Sequence, residues 1–221
     1  MNKPDLPRER MVTCFESKYL NVIDLNYAEG RHYYVSSRHS LEDFTVLKDE
    51  EEFKKQLPDA VTCFVIIKTK GAEPRLLLEK EFRYPTGQFL SGPPAGLLDP
   101  EDKDAPEPRV ETAKREIKEE TGIEVLDSDR VFVVNPLAFS TPGMTDESNA
   151  LVCAVIERDE LTGLNDSNAE STECFGDYSL LTKAEALKML KDGKDERGFY
   201  YSMYTWAALM YFVSNMWKQE G

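Results

Sequence analysis

From Arg115 to Ile123 the chain reads Arg-Glu-Ile-Lys-Glu-Glu-Thr-Gly-Ile, with Glu107 upstream after seven intervening residues of Arg115. Val110, Ala113 and Ile117 recur at helical spacing, and Gly122 stands where a left-handed residue ends a helix, so Arg109 to Thr121 is expected to be helical. At about 100° per residue, Glu116, Glu119 and Glu120 fall within about one third of the circumference, beside that apolar stripe. The acids are thus expected at the rim of the buried face. Glu116 and Glu120 stand at i and i+4, where like charges repel by a few tenths of a kcal/mol on an exposed helix and by more when partly desolvated. A divalent cation would remove that repulsion.

A Glu-rich helix in an acidic chain is ordinarily a solvated face. The pattern here is tighter, since five fixed identities and two apolar positions coincide by chance in roughly one such chain in 10⁴ to 10⁵. Hard oxygen ligands with no histidine nearby suit Mg²⁺, or else Mn²⁺, rather than zinc, because the only histidines are His32 and His39. Arg115 lies one turn from Glu111 and Glu119 and can fix a carboxylate rotamer from behind the ligands.

Composition excludes several other roles. Against 41 Asp and Glu stand 27 Lys and Arg, a net charge of −14, so no nucleic-acid partner is expected. Cys14, Cys63, Cys153 and Cys174 form no CxxC pair, and the first ten residues lack the apolar core of a signal peptide, which together read as a reduced, cytoplasmic protein. Phe199 to Trp217 is an uncharged run of 19 residues. Its Tyr, Ser, Thr and Asn are spread throughout, so it reads as a buried C-terminal helix and not a membrane span. Neither GxxxxGK[ST] nor GxGxxG occurs, and Ser140 and Cys153 lack the setting of a nucleophile.

Along the chain, Val12 to Leu25 and Arg31 to Ser36 read as a small antiparallel sheet, and the main domain starts near Asp59. This gives an N-terminal sheet subdomain over 1–58 and a main domain over 59–221. Strands are expected at Val61 to Lys68, Arg75 to Lys80, Val131 to Val134 and Ala150 to Ile156. Pro85 to Pro94 reads as a loop, and three prolines keep Asp99 to Pro108 irregular. Lys183 to Lys191 is a second helix, stopped by Gly193. The class is α/β, a mixed sheet with helices packed on it. The N-terminal sheet is too small to bury itself alone, which suggests a homodimer.

The helix and its flanks resemble the Nudix hydrolase family, whose box reads Gly-x5-Glu-x7-Arg-Glu-apolar-x-Glu-Glu-x-Gly-apolar. Glu107, Arg115-Glu116-Ile117, Glu119-Glu120, Gly122 and Ile123 match in register. Gly96 precedes Glu107 by ten intervening residues instead of five, so Leu97 to Pro106 carries an insertion of five residues. Leu76 to Tyr84, Pro94-Ala95-Gly96 and Ser140-Thr141-Pro142-Gly143 with Glu147 further resemble the ADP-ribose pyrophosphatase branch. That branch usually has a glutamate two residues before its Pro-Ala-Gly, where this chain has Gly92.

The resemblance implies an α/β/α sandwich and Mg²⁺-dependent attack of water on the pyrophosphate of a small nucleotide substrate, ADP-ribose or a nucleotide sugar, giving two phosphomonoesters. It implies metal ligation by the Ala95 carbonyl, Glu116, Glu119 and Glu120, the last two also counted as catalytic. It further implies substrate contacts from Arg83, Gly143 and Glu147, with Arg115 and Glu107 in support. The general base is a box glutamate, or Glu170 or Glu173 on the loop after Ile156, with Glu173 preferred. Phe82 and Tyr84 read as core or rim aromatics before base-stacking groups. The alternative is a non-catalytic Nudix-fold module that senses such a ligand. Its intact acids speak for the enzyme.

Overall fold

The computed structural model describes residue 4 and residues 6–161, 163–165 and 174–219. The chain divides into two compact units, one comprising the residues up to Asp59 with Leu137–Asn149, the other Ala60–Pro136 with Ala150–Gly221.

The first unit is built on an antiparallel sheet of three strands, β1 (Met11–Glu16), β2 (Asn21–Ala28) and β3 (Arg31–Ser37). The alternating stretch from Val12 to Leu25 is thus two strands, broken where the Ser17 hydroxyl accepts the Tyr19 and Leu20 N–H groups. Met11, Ile23, Leu25, Val35 and Phe44 form its core. Helix α1 (Glu50–Lys55) begins at a capping box in which Asp49 and Glu52 satisfy each other's backbone N–H.

His39 ties this unit together. Its Nε2 lies 2.9 Å from Asp59 Oδ1 and its Nδ1 3.2 Å from Asp43 Oδ2. Asp59 Oδ2 also accepts the Ser148 N–H and hydroxyl, at 2.8 and 3.0 Å.

The second unit holds a seven-stranded mixed sheet in the order β10-β5-β4-β9-β8. Its members are β4 (Ala60–Thr69), β5 (Arg75–Arg83), β6 (Gln88–Gly92), β7 (Ala95–Leu97), β8 (Arg130–Phe139), β9 (Ser148–Arg158) and β10 (Phe175–Leu181), with β6 on β5 and β7 on β4. Helix α2 (Pro108–Thr121) covers one face, where Ala113 and Ile117 meet Val61, Cys63, Val65 and Leu77. Helices α3 (Lys183–Asp192) and α4 (Met203–Ser214) cover the other, where Met189 and Leu209 meet Phe64, Ile66, Leu76 and Leu78. This is the α/β/α sandwich expected, and each fully buried aliphatic side chain contributes about 1.5–3 kcal/mol to it.

The local signals explain most boundaries. Pro108 opens α2, where a missing N–H costs nothing. Gly122 and Gly193 end α2 and α3 at φ 71° and 66°. The C-terminal aromatic run packs as α4, and no helix among the described residues is long and apolar enough to cross a membrane. Three strands depart from expectation. The segment expected as a loop contains β6, because Gly87 at φ 62° donates to the Arg83 carbonyl and turns the chain back onto β5. Strand β7 was not expected, and β10 was expected only as a strand of unstated bounds after Glu173.

The His39 contacts imply a pH dependence. Bonding to Asp59 raises the His39 pKa against the opposing effect of burial, and Asp146 and Asp43 add to it. Burial would raise the Asp59 carboxyl, but His39 and Ser148 hold it below its ordinary range. A raised histidine contributes stability that is complete below its unfolded pKa of about 6.5 and disappears as pH rises through the folded value. A lowered aspartate contributes above about 3.9 and loses its share only as pH falls through its folded value. The urea midpoint of the wild type should therefore decline as pH rises above about 6.5, and His39→Gln should flatten that decline. An unchanged slope in the variant would exclude the role given to His39.

Candidate active site

The acids of α2 are deeper than the periodicity suggested. Glu116 and Glu120 are only 7 % and 1 % exposed, while Glu119 is half-buried. The cause is Gly96. A β-carbon there would lie 2.0 Å from the Glu116 carboxyl group, so the absence of a side chain is what lets Glu116 lie against the backbone of β7. One turn on, Glu120 Oε2 accepts the Ala95 N–H at 2.9 Å. Two carboxylates of one helix face thus bracket a single dipeptide, Ala95-Gly96. The β4 strand fixes that dipeptide from the other side, pairing Thr62 with Ala95 and Val61 with Gly96.

Arg115 closes the constellation. Its Nη1 lies 2.7 Å from Glu116 Oε1 and 2.9 Å from Glu119 Oε2. Its Nη2 donates to the Leu97 carbonyl at 2.9 Å and to Asp102 Oδ2 at 3.0 Å, with Asp99 at 3.3 Å. Burial disfavours its charge, yet Glu116, Asp102 and Asp99 outweigh that and hold it firmly protonated. Sequence reasoning gave Arg115 its supporting role but missed Asp102, whose carboxylate also accepts the Thr112 hydroxyl at 3.0 Å. Asp102 sits in a single 3₁₀ turn, Asp102–Asp104, inside the insertion. No periodicity marks such a residue.

Glu107 is placed apart from the partners given for Arg115. It is the N-cap residue of α2, makes no side-chain cap, and pairs with Arg109 at 2.9 Å. Arg83 is exposed at the end of β5 and pairs with Glu81 at 2.5 Å. Tyr84 is exposed and meets Phe82 edge-on at 5.1 Å, so it is no core residue. Gly143 and Glu147 belong to the first unit, where the Gly143 carbonyl accepts the Tyr33 hydroxyl at 2.6 Å and Glu147 pairs with Arg38 at 3.0 Å. Glu170 and Glu173 lie outside the described residues. The Tyr178 hydroxyl donates to the Glu120 carbonyl at 2.5 Å and braces the last turn of α2; nothing in the sequence singled it out.

The donor set fits a hard divalent cation. Three carboxylates and the Ala95 carbonyl would all be oxygen ligands, and the Gly96 recess keeps Glu116 against the β7 backbone. As the side chains stand, no three acidic, histidine or cysteine groups among the described residues converge on one point. The Arg115 guanidinium spans Glu116 and Glu119 and supplies the positive charge there.

Comparison with known proteins agrees with this geometry. Residues 56–202 match the NUDIX domain family model. The chain is 34 % identical over 125 residues to an ADP-ribose pyrophosphatase of Saccharomyces cerevisiae, covering 53 % of this chain and 49 % of that protein. It is 35 % identical over 101 residues to a protein of Caenorhabditis elegans named putative nudix hydrolase 2, covering 46 % and 41 %. The alignments thus span less than half the length of either relative. A solved structure titled as an ADP compounds hydrolase superposes with a TM-score of 0.52 over 95 % of this chain and 91 % of its own, at 16 % identity, a likeness of fold. With the box acids, their glycine recess and the matching domain together, the chain belongs to the NUDIX domain family.

Proposed function

We propose that this chain is a Mg²⁺-dependent Nudix pyrophosphohydrolase that splits a nucleoside diphosphate linked to a second group, ADP-ribose or a nucleotide sugar, into two phosphomonoesters. The observation that carries the proposal is the bracketing of Ala95-Gly96 by Glu116 and Glu120, which sets two buried carboxylates against one short stretch of β7 backbone. A divalent cation held by Ala95, Glu116, Glu119 and Glu120 would neutralise pyrophosphate oxygens and lower the pKa of water.

The protein groups divide the remaining work. Arg115 keeps the carboxylate rotamers fixed from the side of the insertion. Glu119, the most accessible of the three, faces solvent and can accept a proton from water. Glu173 or Glu170 is the other candidate base, on the sequence reading alone. Arg83, at an exposed strand end, offers a planar fork suited to phosphate once Glu81 releases it. The Saccharomyces cerevisiae relative named an ADP-ribose pyrophosphatase supports that substrate class.

The homodimer also belongs to this reading. Val12, Phe15, Tyr19, Tyr27 and Tyr34 of the first unit are exposed, an apolar and aromatic surface suited to a second copy. The four cysteines are free thiols, which supports a reducing, cytoplasmic setting.

Three measurements test these points. Glu120→Gln should lower turnover of ADP-ribose with Mg²⁺ by more than about 100-fold, read by product chromatography with ADP-glucose and dinucleoside polyphosphates alongside; normal turnover would reject the ligand set. Gly96→Ala should displace Glu116, costing roughly 1–3 kcal/mol of stability and about 100-fold in activity, and a fully active variant would contradict the recess. Light scattering should give twice the chain mass, and a monomer at all concentrations would remove the dimer.

A further inference from the structure

Glu79 is a buried acid that none of the roles above employs. It is 2 % exposed and stands in the β5 row Leu77, Glu79, Glu81, Arg83, which alternation turns to one face of the sheet. Leu77 packs in the core beneath α2, whereas Leu76 and Leu78 pack in the opposite core. Glu79 is therefore on the α2 side.

Its cross-strand neighbours define its surroundings. On β10 it is paired with Tyr178, whose hydroxyl reaches the Glu120 carbonyl. On β6 it is paired with Gly92, three residues before Ala95. The Cys63 thiol is pushed up by burial first, and then by Glu120, Glu116 and Glu79 together, so one buried group in this layer senses all three carboxylates. Removing a carboxylate from water beside two others is unfavourable, and a proton, a hydrogen-bonding partner or a cation sharing the space relieves it.

Gly92 accounts for why the acid is on β5. Its φ is not positive, and a β-carbon there would meet only Thr205 Oγ1 at 3.8 Å, an ordinary contact. The backbone thus does not demand glycine. Directly paired residues of antiparallel strands present side chains to the same face, and two acids so placed repel. One carboxylate suits this pair of positions, and here it is on Glu79.

We infer that Glu79 is a further member of the acid set serving the divalent cation, delivering from β5 the carboxylate that a side chain at position 92 would deliver from β6. This rests on the metal-dependent reading above and extends it to a residue outside the box.

The test uses the whole chain and Mn²⁺ as the probe, with free Mn²⁺ counted by electron paramagnetic resonance and ADP-ribose turnover assayed separately with Mg²⁺. Glu79→Gln keeps the shape and should weaken Mn²⁺ binding about tenfold or more. Moving the acid across the pair, in Glu79→Gln combined with Gly92→Glu, should recover most of that loss. Binding within twofold of wild type in Glu79→Gln overturns the inference, and weakened binding without recovery overturns the exchange between the two strands. Should Glu79→Gln not fold, Gly92→Glu in the otherwise native chain decides. Two facing carboxylates should lower the melting temperature of metal-free protein and enlarge its rise with Mn²⁺, and a melt and metal response equal to wild type count against Glu79. A wild type that binds Mn²⁺ but leaves ADP-ribose intact defeats the substrate reading alone. Normal binding and turnover in Glu79→Gln defeat the Glu79 inference alone.

Discussion

The contact between Glu116 and the bare α-carbon of Gly96 is the constraint on which the site depends. A helix carrying three acids on one face would ordinarily turn them to water, because desolvating like charges is unfavourable. Here the acids are drawn inward by specific partners. Glu116 enters the recess left by glycine, Glu120 takes the Ala95 N–H, and Arg115 joins Glu116 to Glu119. The helix, strand β7 and the insertion are thereby fixed relative to one another.

Much of this was legible in the sequence where the signal was local. The span of α2 follows from apolar spacing and from Gly122, and the acid register follows from about 3.6 residues per turn. Strand β4 is a continuous apolar run, as a strand covered on both faces must be. Strand β6 was hidden because Gly and Pro flank it and only five residues carry it, while β10 has a register shift between Phe175 and Tyr178 that obscures its alternation.

The site was legible in part for a different reason. Identities fixed the box acids and Arg115, but burial could not be read from the helix alone, because the recess that admits Glu116 is on another strand. Asp102, Tyr178 and Glu79 act through partners 13, 58 and, by strand pairing, a sheet register away. Such contacts exist only once the sheet is assembled. Glu79 in particular reads in sequence as an unremarkable polar residue near a strand end.

The added loop between Leu97 and Pro106 has an effect beyond length. It contributes Asp99 and Asp102, and with the Leu97 carbonyl these give Arg115 partners that do not depend on the helix acids. A guanidinium that surrendered both glutamates would still be bonded on its other side and would have no need to swing into solvent. Insertion has thus furnished a berth in which one positive charge can wait while another occupies its former station.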